Sequence, residues 1–131
     1  NKRYIKIGDH FTTGFGCRIE AFPLHNENRV CLTIGKNVEI NDYVHIAAVK
    51  SVIIGDNVLM ASKIYISDCL HGSYTGDVND DNPNTPPNDR SLSAKEVIIK
   101  GDSKVVYSPD KPLSCGAKVW IETNGEVTIV K

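Results

Sequence analysis

The sequence has no apolar run near the roughly 18 residues that a membrane-crossing helix needs, so no membrane span is expected. It also has no basic stripe. Its 15 basic and 16 acidic side chains nearly cancel, which argues against a nucleic-acid partner. No cysteine pair has CxxC spacing: Cys17, Cys31, Cys69 and Cys115 fall at no metal-ligand interval. They are read as free thiols in a reducing cytoplasm, with two disulfides as the arithmetic alternative. The opening has no charged start and apolar middle of a secretory leader. It begins at Asn1 rather than Met, so the sequence is read as part of a longer or processed chain. With 131 residues, one domain over 1–131 and one core are expected.

What the sequence does have is a repeat. IGDHF (Ile7 to Phe11), IGKNV (Ile34 to Val38), IGDNV (Ile54 to Val58) and CGAKV (Cys115 to Val119) are versions of one phrase. Each opens a run in which an apolar or small residue returns every six positions: Ile7, Thr13, Ile19; Ile34, Ile40, Ile46; Ile54, Met60, Ile66; Cys115, Ile121, Val127. A second inward position holds Val38, Val44, Val58, Ile64, Leu70 and Val119. Helices repeat their apolar face every three to four residues, and ordinary strands every two. A period of six suits a parallel β-helix, in which each unit is a short strand and a bend and the stacked units share a core.

The rhythm breaks in several places. Pro23 to Leu32 reads as a protruding loop, and a two-residue slip falls near Val52. A long excursion of Gly, Pro, Asn and Asp follows His71, giving a loop over about 72–96. A loop of that length inside a compact domain is usually functional or disordered. The stretch of about 97–114 has two β-rich bursts but does not fit the rhythm, and is read as an irregular insertion.

The stretch INDYVHIAAVKSVIIGDNVLMASKIYISDCLHG, from Ile40 to Gly72, resembles the hexapeptide-repeat acyltransferases, most of all the sugar O-acetyltransferases of the galactoside, maltose and surface-polysaccharide type. FTTGFGCRIEAF (Phe11 to Phe22) is similar to the start of polysaccharide O-acetyltransferases. The resemblance implies a left-handed parallel β-helix, a homotrimer with sites at subunit boundaries, acetyl-CoA as co-substrate and a carbohydrate acceptor. It also implies that His71 is the catalytic histidine, that Asn41 stabilises the reacting centre, and that Trp120 lies along the acyl-donor groove. IETNGEVTI is longer than the family's usual form, and the later coils that would hold coenzyme A are not in this sequence.

The chemistry of these residues fits such a transfer. A sugar hydroxyl must lose a proton as it attacks a thioester, and an imidazole with an ordinary pKa of about 6.5 can take it. His71 closes the unit ISDCLH, where inward Ile66 and Leu70 would turn it outward. Asn41 sits at a bend, where its amide could donate to an oxyanion or serve as ordinary turn chemistry. Asp68, three residues before His71, is a candidate to orient the imidazole or touch the acceptor, with a solvated carboxylate as the plainer reading. His45, at the outward end of INDYVH, is a second acceptor-binding candidate. A zinc site built on His45 and His71 would need a third histidine, and His10 and His25 are not at repeat spacing, so no metal is expected. Cys69 has no flanking motif that marks a nucleophile. The expectation is therefore a cytoplasmic O-acetyltransferase of surface polysaccharide or lipopolysaccharide synthesis. The alternatives are a sugar-nucleotide or serine acetyltransferase, or a non-catalytic β-helical module.

Overall fold

The computed structural model describes residues 2–24, 27–72, 81–94, 96–105, 121–123 and 127–129. Each turn of the chain contributes three short strands. The first turn holds β1 (Ile5–Ile7), β2 (Thr12–Thr13) and β3 (Arg18–Ala21). The second holds β4 (Leu32–Ile34), β5 (Glu39–Ile40) and β6 (His45–Ala48), and the third β7 (Ser51–Ile54), β8 (Leu59–Met60) and β9 (Tyr65–Ser67). Successive turns pair in parallel, so equivalent repeat residues stack: Ile7 on Ile34 on Ile54, Thr13 on Ile40 on Met60, Ile19 on Ile46 on Ile66. This is the three-sided parallel β-helix that the six-residue period predicts.

The core runs up the centre. Leu32, Ile34, Val38, Val44, Ile46, Val52, Ile54, Val58, Met60 and Ile66 are almost wholly buried. Burial of such a side chain contributes roughly 1.5–3 kcal/mol, so the stack itself is the main source of stability. The first turn packs on one side only, which leaves Ile7 46% exposed. Bends between strands use left-handed backbone in two columns, His10, Asn37, Asn57 and Asp102 in one and Gly16, Tyr43 and Lys63 in the other. Asn37 Nδ2 donates to Asn57 Oδ1 at 2.9 Å, and Asn57 Nδ2 donates to Asp102 Oδ1 at 3.0 Å, which links three turns along the first column. Gly35 precedes this bend because turns approach closely there: a Cβ would lie 2.7 Å from the backbone carbon of Gly55.

Three features differ from the sequence reading. Leu70, expected inward, is 51% exposed, because β10 (Cys69–His71) leaves the stack and pairs antiparallel with β11 (Leu92–Ala94). Residues 96–105, left outside the rhythm, carry β12 (Glu96–Ile99) and β13 (Ser103–Val105), which lie in parallel register on β7 and β8. Ile99 is in register with Ile54 and Val105 with Met60, six residues apart as in the lower turns. The expected parallel continuation through Ile121 and Val127 is reversed: β14 (Ile121–Thr123) and β15 (Val127–Ile129) pair antiparallel with β13 and β12. Spacing alone encodes which residues share a face, not which way the strand runs. These two strands cover edges of β13 and β12 that would otherwise offer free backbone donors and acceptors. Cys115 and Val119 lie outside the described residues.

Candidate functional site

Three interruptions of the repeat among the described residues fall at the same corner of the prism, after the third strand of a turn. There the chain passes from β3 to β4, slips by two residues at Val49 and Lys50, and later leaves between β9 and β12. Asp68 organises this corner. Its carboxylate accepts the backbone N–H groups of Val49 at 2.8 Å, Lys50 at 2.7 Å and Ser51 at 2.6 Å, and the residue is 5% exposed. The two extra residues thus form a cradle of amides around one buried carboxylate. This is neither a solvated group nor a partner of the imidazole, since Asp68 makes no hydrogen bond to His71.

His71 ends β10 and is exposed. Its Nδ1 lies 3.2 Å from the carbonyl oxygen of Pro87, in the excursion. A carbonyl only accepts, so Nδ1 carries the hydrogen and the lone pair of the neutral ring resides on Nε2. Pro87 opens the short 3-10 turn Pro87–Asp89. The excursion also anchors beside the histidine, where the N–H of Gly72 donates to the Ser91 carbonyl at 2.7 Å.

Asn41 is not brought to this corner. It lies in the bend before β6, whereas His71 follows β9 at the other end of the same three-stranded sheet. Its backbone N–H donates to Met60 O at 3.1 Å, its carbonyl accepts from Cys17 Sγ at 2.9 Å, and the residue is exposed. His45 begins β6 and points its Nε2 at Glu20 Oε2, 2.9 Å away, with Tyr65 packed against its ring at 5.0 Å between centroids. Arg18 donates to the other Glu20 oxygen at 3.0 Å, and the His45 bond above all holds the Glu20 carboxyl below the usual range. His45 thus belongs to a polar ladder on the face of the third sheet and does not meet His71. Trp120 lies outside the described residues, as does His25. Among the described residues no group of three His, Cys, Asp or Glu side chains could hold a metal ion.

Burial pushes the Cys69 thiol up, which weakens it as a nucleophile beside the exposed imidazole. Burial likewise raises Cys31. Among the described residues no helix is long and apolar enough to cross a membrane. The partner of His71, Pro87, was missed by sequence reasoning because a backbone carbonyl leaves no trace in residue type.

Stacked six-residue units make this chain a parallel β-helix of hexapeptide-repeat form, with His71 held out on an antiparallel strand pair. The chain is 41% identical over 124 residues to the Escherichia coli (strain K12) protein named "Putative lipopolysaccharide biosynthesis O-acetyl transferase WbbJ". That match covers 95% of this chain and 53% of the relative, so the chain spans about half the relative's length. No family model matches the chain, and no solved structure matches it significantly.

Proposed function

We propose that this chain belongs to an O-acetyltransferase that moves acetyl from acetyl-CoA to a sugar hydroxyl in lipopolysaccharide or surface-polysaccharide synthesis in the cytoplasm. The observation that carries this reading is the bond between His71 Nδ1 and the Pro87 carbonyl. It leaves Nε2 as an accessible base on an exposed side chain, which suits proton removal from an incoming alcohol. The similarity to WbbJ, named for lipopolysaccharide O-acetyl transfer, supports a carbohydrate acceptor.

In this reaction Nε2 takes the hydroxyl proton as the oxygen attacks the thioester carbonyl. Collapse of the tetrahedral oxyanion breaks the carbon–sulfur bond, and the imidazolium returns the proton to the leaving thiolate. Positioning of the two substrates supplies much of the rate, and no acyl-enzyme is required. Asn41 is proposed as the oxyanion donor. Because it sits at the far end of the sheet from His71, it would serve the site of a neighbouring copy in a homotrimer. Trp120 is proposed to line the acyl-donor groove. Asp68 contributes by building the corner under β10, and His45 by fixing the sheet face through Glu20, where an acceptor sugar would pass.

Thiol release from acetyl-CoA, measured with a panel of sugar acceptors, tests this reading. Sugar-dependent release supports it. Absence of both release and coenzyme A binding by the full-length protein would overturn it.

A further inference from the structure

We propose that Arg90 is a positioning residue for His71, holding the Pro87 carbonyl where it fixes the imidazole tautomer. This rests on the reading of His71 as the base. Arg90 closes the tip of the excursion on itself. Its Nε donates to the Thr85 carbonyl at 2.7 Å and its Nη2 to the Pro83 carbonyl at 2.8 Å, while its backbone N–H reaches Pro87 O at 3.4 Å. The guanidinium therefore binds the chain on one side of the 3-10 turn, and the Arg90 backbone binds it on the other.

The carbonyl in between serves two donors, Arg90 N–H and His71 Nδ1–H, as its two lone pairs permit. Pro86 and Pro87 limit the backbone further, since each ring locks φ. The ring of residues is tied down at its base as well. Asp81 accepts the Ser91 N–H at 2.9 Å and also bonds the Ser91 hydroxyl, and the Ser91 carbonyl receives Gly72 N–H, next to His71 itself. Without the two guanidinium bonds, the Pro83 and Thr85 carbonyls lose these donors and the turn bearing Pro87 loses its brace. Lysine cannot replace this geometry, because one ammonium lacks the planar fork that spans two carbonyls.

The test reads the ring nitrogens of His71 by 15N NMR of the labelled protein, assigned by their loss in His71→Gln, at a pH where the imidazole is neutral. The expected native spectrum shows a protonated Nδ1 and a bare Nε2. Arg90→Ala and Arg90→Lys should both move the two shifts toward each other as the tautomers mix, with the amide spectrum of the β-helix retained. Native shifts in both variants would overturn the role of Arg90. A native protein already protonated on Nε2 would instead overturn the reading of His71. In turnover, Arg90→Ala should lower kcat roughly tenfold to a hundredfold with KM little changed. It should add no further loss to His71→Ala; an additive loss would make Arg90 an independent substrate contact and sink the proposal.

Discussion

Asp68 Oδ2 accepts the backbone N–H of Lys50 at 2.7 Å from eighteen residues further along the chain, so one carboxylate staples the third turn to the second. Hydrogen bonds to a charged acceptor are among the stronger ones, and loss of this acceptor leaves buried or half-buried amides unpaired. Asp68→Ala should cost about 3 kcal/mol or more in urea unfolding, and Asp68→Asn less, since one acceptor oxygen remains. Stability within about 0.5 kcal/mol of native for Asp68→Ala would mean that water takes over these amides.

The column of left-handed bends makes a second, separate prediction. Asn57 has φ +56° and bonds both Asn37 and Asp102. Asn57→Ala loses these bonds and keeps a left-handed backbone that costs a Cβ-bearing residue roughly 1–2 kcal/mol. Asn57→Gly loses the same bonds without that cost. The glycine variant should melt at the higher temperature of the two, a ranking that calorimetry can check.

Glu20 ties stability to pH. Its folded carboxyl is more acidic than the ordinary value of 4.5, chiefly because of the His45 bond. The contribution is therefore complete above the ordinary value and disappears as pH falls through the lower folded one. Melting temperature should drop as pH falls below about 4.5 more steeply in the native protein than in Glu20→Gln. Parallel curves would remove Glu20 from the account.

Thiol chemistry probes the stack directly. Cys31 is buried against the Ala48 carbonyl, and burial raises its pKa. It should resist iodoacetamide in the folded protein and react only after unfolding. Rapid labelling under native conditions would show that the second turn opens.

The central stack was legible because Ile34, Ile54 and their six-residue successors carry bulk to one face in every turn. The turn at 96–105 was hidden by one local change: its glycine, Gly101, follows Ile99 by two positions instead of one, with Ser103 where lower turns hold valine. Leu70 kept the right spacing, yet a strand can leave its sheet without altering its pattern. The candidate site was legible only as far as His71. Asp68 binds backbone amides and His71 binds a backbone carbonyl, and neither partner is written in residue types. Asn41 was named by resemblance, while its distance from His71 along the sheet follows from topology alone.

The rate of acetyl transfer by His71→Ala relative to the native full-length protein addresses the central claim most directly. A fall of at least about a hundredfold, with the fold intact, is the outcome expected if Nε2 takes the proton. A loss smaller than about tenfold would contradict it and return the imidazole to an ordinary place on the surface.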